Sequence, residues 1–191
     1  MHRWAADVVR SRRHELLRRD KSHPSNDDEL LEWYAAGWPQ LVHALENSAA
    51  HEEFWYWGPA PNAVTFWSRR QANETSIHRW DAEATLGPAR GFSVDVAVDA
   101  LDEYFPLIVP RASVPDGGGR RIRFEAVDVD RSWIVTLDDE LAISSSDDAD
   151  VTVSGKASSV YLVAMNRSNP DGLSVQGERA LLDVWRRHVK F

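Results

Sequence analysis

The spacing of hydrophobic positions changes partway along the chain. From residue 2 to about 109 they recur every three or four residues, the period of helices buried on one side. Trp4, Val8, Val9, Leu16 and Leu17 trace a first helix over 2–19. Ser25 or Asn26 can cap a second, whose positive N-terminal end suits Asp27, Asp28 and Glu29. It carries Leu30, Leu31, Trp33, Tyr34, Leu41, Val42 and Leu45, and Pro39 predicts a kink or break near Trp38. An aromatic loop follows over 51–61. A third helix runs from about Asn62 to Leu86 and stops at Gly87-Pro88. A fourth runs from about Val94 to Val109, its last turn disturbed by Pro106.

Four helical segments with short connections predict an antiparallel bundle over 1–114. Pro115-Asp116-Gly117-Gly118-Gly119 is a flexible break. Beyond it the period becomes two: Ile122, Phe124 and Ala126; Trp133, Val135 and Leu137; Leu141 and Ile143; Val151 and Val153. Residues 158–166 read as helix, 173–176 as strand and 178–189 as helix. Four strands, helix, strand, helix is the order of a small α+β domain over 120–191 with a mainly antiparallel sheet.

Composition narrows the function. The chain has 191 residues, 43% of them hydrophobic, with nine tryptophans, enough for packed cores. A net charge of −8 argues against nucleic acid as partner. The basic run Arg10, Arg12, Arg13, Arg18, Arg19 and Lys21 reads as a solvated helix end and loop. The absence of cysteine excludes disulfides and a cysteine nucleophile, so any thiol chemistry needs a thiol brought in from outside. The N-terminus is not a signal peptide and no apolar run is long enough to span a membrane, so a cytoplasmic location is expected.

The chemistry concentrates in Asn73-Glu74-Thr75-Ser76-Ile77-His78-Arg79-Trp80-Asp81-Ala82-Glu83. Glu74 and His78 lie one turn apart on one helix face, a spacing that can grip a divalent cation at two points. At about 100° per residue, Trp67, Gln71, Glu74, His78, Asp81 and Thr85 share an arc of roughly 80° facing the predicted interior. An ionised glutamate there needs a metal, or a metal-free Glu–His or Arg–Glu cluster. Asp81 is placed to accept from the other imidazole nitrogen of His78, or is an ordinary capping aspartate. A third ligand must come from another helix, and spacing does not choose among His2, His14 and His43. Arg167, beyond a predicted helix, is either a clamp for a carboxylate or a surface arginine.

Glu74-Thr75-Ser76-Ile77-His78-Arg79-Trp80-Asp81-Ala82-Glu83 resembles the signature helix of the mycothiol-dependent maleylpyruvate isomerase family, an actinobacterial group. His2-Arg3-Trp4-Ala5-Ala6 resembles the end of that family's first helix, and Asp99-Ala100-Leu101-Asp102-Glu103 a later one. Segments 149–158 and 173–178 resemble its C-terminal domain. The resemblance implies a DinB-like four-helix bundle followed by a sterol-carrier-like α+β domain. It implies a divalent metal, typically zinc, held by Glu74, His78 and a first-helix histidine. It also implies cis–trans isomerisation with mycothiol, or transfer of that thiol to another electrophile. Two departures bear on the site. The family's first-helix histidine normally precedes the segment at which this chain begins, so the chain reads as N-terminally short, with His2 as substitute or the site incomplete. Asn73 stands where a histidine commonly precedes the glutamate. The competing expectation is a non-catalytic binding or regulatory protein with a degenerate metal site.

Overall fold

The computed structural model describes residues 1–107 and 109–190. Seven α-helices and five strands follow in the order α1 (His2–Ser11), α2 (Asp27–Ala35), α3 (Gly37–Glu46), α4 (Ala63–Ala84), α5 (Val94–Leu107), β1 (Arg121–Ala126), β2 (Arg131–Thr136), β3 (Ala142–Ile143), β4 (Val151–Gly155), α6 (Ala157–Ala164), β5 (Ser174–Gly177) and α7 (Ala180–His188). Helices come first and a mainly antiparallel sheet second, as the change of period predicts. Among the described residues no helix is long and apolar enough to cross a membrane. The chain divides into two compact units, Met1–Thr75 and Ser76–Phe191, with the division falling inside α4.

In the first unit, α1 is shorter than the predicted 2–19. Arg12 adopts a left-handed backbone (φ 52°) that ends the helix, and its guanidinium is held by Val9 O and by Glu52 at 2.7 Å. Asn26 is the cap of α2, its Oδ1 accepting from Glu29 N at 2.8 Å. The expected break falls at Ala36, just ahead of Pro39, whose missing N–H is harmless in the first turn of α3. Ala5, Val8, Val9, Leu41, Ala44, Phe54, Phe66 and Trp67 are buried. Trp4, Trp55, Trp57 and Trp67 form an aromatic cluster with ring centroids 5.2–6.2 Å apart, several of them edge to face. Two indole N–H groups are satisfied by backbone: Trp4 donates to Leu17 O and Trp67 to Trp55 O.

The second unit is built on a sheet of order β3-β2-β1-β4-β5, in which only β1 and β4 run parallel. Ile122, Phe124 and Ala126 point inward from β1, and Val151 and Val153 from β4. β2 departs from strict alternation: Ile134 is buried as well as Trp133 and Val135. Gly118 and Gly119, at φ 63° and 72°, turn the chain into β1 through conformations that side chains disfavour. The apolar face of α5 (Ala97, Ala100, Leu101, Tyr104, Phe105) enters the same core as the sheet, α6 and α7. The helix expected to complete a bundle ending at 114 therefore buries its apolar stripe with the sheet, because that stripe matches the Phe124, Trp133 and Tyr161 surface.

Glu83 ties down the end of α4. Its carboxylate accepts from the Arg90 side chain and backbone N–H and from Arg79 at 2.7–3.2 Å, and these bonds, Arg90's first, hold it at a pKa of about 2. A carboxyl depressed in the fold stabilises above its unfolded pKa and loses that contribution as pH falls through its folded one. The Tm advantage of the wild type over Glu83→Gln should accordingly shrink between the usual carboxylate range and pH ~2. Parallel Tm curves for the two proteins over that window would contradict this reading.

Candidate functional site

In the second unit, α4 delivers His78 and Asp81 to Arg167, which follows α6. His78 Nδ1 lies 3.1 Å from Asp81 Oδ2. Arg167 meets the same carboxylate with two bonds, Nε to Oδ1 and Nη2 to Oδ2, both at 3.2 Å, while its Nη1 donates to Met165 O at 3.0 Å. Arg167 is thus not the surface arginine of the plainer expectation. The carboxylate it holds in this structure is Asp81. Partial burial raises the Asp81 carboxyl, and the bonds from Arg167, then His78, outweigh that and bring it below the usual carboxylate range. An ionised carboxylate can only accept, so the His78 nitrogen facing it carries the proton. In the ring's neutral form the lone pair is then on Nε2.

The helical wheel places His78 towards the interior; the structure corrects this. His78 leaves 59% of its side chain exposed, against 17% for Glu74. A wheel reports direction around the axis and not cover along it. Trp67 and Gln71 point to neighbouring angles and are buried, whereas His78 lies two turns beyond Gln71.

In the first unit, Glu74 forms an ion pair with Arg70, one turn earlier on α4. This is the Arg–Glu cluster that the sequence left open as an alternative to metal. His2 stands on α1 with Nε2 2.8 Å from the Thr75 hydroxyl. That hydroxyl's one hydrogen goes to Gln71 O at 2.6 Å, so the oxygen accepts from His2 Nε2–H and leaves Nδ1 as the basic nitrogen. Burial first, and then the terminal ammonium, lower the His2 pKa and favour the neutral ring. His14 is exposed, and His43 Nδ1 meets Asn47 Nδ2. Sequence reasoning did not single out Arg70, Thr75 or Gln71 as partners. The four-residue spacing of Arg70 to Glu74, and of Gln71 to Thr75, was the available signal.

One carboxylate and two imidazoles are zinc-type donors. Among the described residues there is no group of three His, Cys, Asp or Glu side chains that could hold a metal ion.

The Mycothiol maleylpyruvate isomerase N-terminal domain model matches residues 1–83, and the MDMPI C-terminal domain model matches residues 95–183. The second match starts at the first turn of α5, the helix that packs with the sheet. A solved structure titled UbiJ-SCP2 Ubiquinone synthesis protein is similar at 25% identity, covering 36% of this chain and 67% of its own, with a TM-score of 0.28. No curated protein matches the chain. With its helical half and its sheet half matched in order by the two domain models, the chain belongs to the mycothiol maleylpyruvate isomerase family.

Proposed function

We propose that the chain is a thiol-using isomerase or S-transferase acting on a small electrophilic carboxylate. Mycothiol is the thiol of this reading and a divalent cation, zinc, its cofactor. The observation that supports it most is the Asp81 carboxylate shared by His78 and Arg167. An imidazole fixed in one tautomer by a carboxylate, itself fixed by an arginine, is the arrangement that prepares a histidine to bind a metal or take a proton.

The residues divide the work as follows. Asp81 is a positioning residue that directs the His78 lone pair to Nε2. Arg167 positions Asp81, and the N–H groups it does not spend on Asp81 and Met165 are suited to a substrate carboxylate. His78 at Nε2, Glu74 and His2 are the proposed ligands, and a cation there would lower the pKa of a thiol. The incoming S–H must lose its proton before sulfur attacks; with His78 Nδ1–H held by Asp81 and Nε2 given to the cation, that proton leaves to solvent. The thiolate adds to one carbon of an activated double bond, the new single bond rotates, and elimination returns the thiol and the isomerised product. If the carbanion left by addition takes a proton from solvent in place of eliminating sulfur, the product is a thioether, the transferase outcome.

A second reading, a binding protein with a degenerate metal site, draws on the Arg70–Glu74 pair, which occupies the proposed carboxylate ligand. Zinc titration decides between them. A cation must displace Arg70 from Glu74, so Arg70→Ala should bind zinc about tenfold or more tightly than wild type, a difference of ~1.4 kcal/mol. Loss of zinc binding on Glu74→Ala and on His78→Ala would accompany it. Wild type and Arg70→Ala both failing to bind zinc would leave the degenerate-site reading standing.

A further inference from the structure

The helix α2 has no buried residue. Nine residues are too few for a helix to stand alone in water, and an apolar stripe packed on a neighbour normally makes up the difference. Here that stripe faces outward. Leu31, Tyr34, Trp38 and Val42 follow one another at three- and four-residue spacing, and the first three are 67, 58 and 55% exposed. With Leu30 they leave roughly 500 Å² of side chain open, at the upper end of the largest patch on a typical monomer. The stripe is bordered by acid: Asp27, Asp28, Glu29 and Glu32.

The same unit carries a surface of the opposite kind. The irregular segment after α1 walls an open cavity of about 840 Å³, with Trp4, Leu16 and Leu17 as its apolar side and a rim of Arg18, Arg19, Asp20 and Lys21 that is basic on balance. Within one copy the stripe stays exposed and the cavity stays open.

We propose that a second copy of this chain covers both. The α2–α3 stripe of one copy seats in the Trp4–Lys21 cavity of the other, about a twofold axis that forms both contacts at once. Charge selects this arrangement. Two stripes laid face to face would set Glu29 and Glu32 against their own counterparts, whereas stripe on cavity sets them against Arg18, Arg19 and Lys21. Two such contacts bring the covered area towards the ~800 Å² per partner of a standard interface.

Sedimentation equilibrium of the full chain at high micromolar concentration tests this independently of any catalytic reading. The wild type should have twice the 21.6 kDa mass and dissociate as salt is raised. Arg18→Glu/Arg19→Glu and Glu29→Lys/Glu32→Lys should each weaken the dimer by about tenfold or more, and the combined four-site variant should regain it. All these side chains are exposed, so far-UV circular dichroism should stay unchanged, and the regain excludes unfolding as the cause. A monomeric wild type, assembly beyond the dimer, or a combined variant no tighter than its parents would overturn the proposal.

Discussion

Asp81→Asn should lower thiol-dependent turnover about ten- to hundredfold, the usual loss when the group orienting a working histidine is removed. An amide placed there keeps the shape but can turn its NH₂ towards His78, which moves the imidazole proton from Nδ1 to Nε2 and takes away the lone pair the reaction uses. It also leaves Arg167 without the carboxylate it grips through both Nε and Nη2. The loss should fall on kcat more than on KM, because the altered group acts through His78 and not on the bound substrate. A change confined to KM would instead place Asp81 in substrate binding. Arg167→Lys is the companion variant: a lysine supplies charge without the two-pronged geometry, so it should rescue little.

The second large effect concerns stability. Phe105→Ala should cost the sheet-bearing unit about 3–5 kcal/mol, the range for truncating a large aromatic side chain in a packed core. Phe105 is fully buried on α5. Its ring stacks on Trp133 with centroids 5.9 Å apart and lies 5.3 Å from Phe124 and 5.4 Å from Tyr104. One side chain therefore joins α5 to both β1 and β2. Amide hydrogen exchange of the β1 and β2 backbone across a urea series reads this unit, whereas the nine tryptophans are spread over both units. A loss under ~1 kcal/mol would mean that α5 is not an integral layer of that core.

Period carried most of the architecture. Ile122, Phe124 and Ala126 alternate in sequence and in burial, and the order of strands and helices after residue 120 follows from such runs. Start and stop signals worked where they rest on local chemistry, as at Asn26, whose side chain bonds the backbone three residues on. They failed at Arg12, where a non-glycine residue enters the left-handed region because Val9 O, Glu52 and the Phe54 face hold its side chain. No local pattern announces such a stop. The packing side of α5 was likewise invisible, because an amphipathic stripe states that it will be buried without naming its neighbour.

The site divides in the same way. The His78–Asp81 contact was legible, since three residues on a helix bring two side chains together. That Arg167 reaches Asp81 from 86 positions away was not, since the link is tertiary. The exposure of His78 also escaped the sequence, because cover along a helix depends on where its neighbours end.

In this reading His78 Nε2 is a ligand of the cation that activates the incoming thiol. The most direct test is the rate of conversion of maleylpyruvate to fumarylpyruvate with mycothiol, comparing wild type, His78→Ala and mycothiol alone. Wild type should exceed the thiol background, and His78→Ala should fall back to it while keeping the wild-type fold. A His78→Ala variant as fast as wild type would contradict the role given to His78, and a wild type no faster than mycothiol alone would contradict the isomerase outcome.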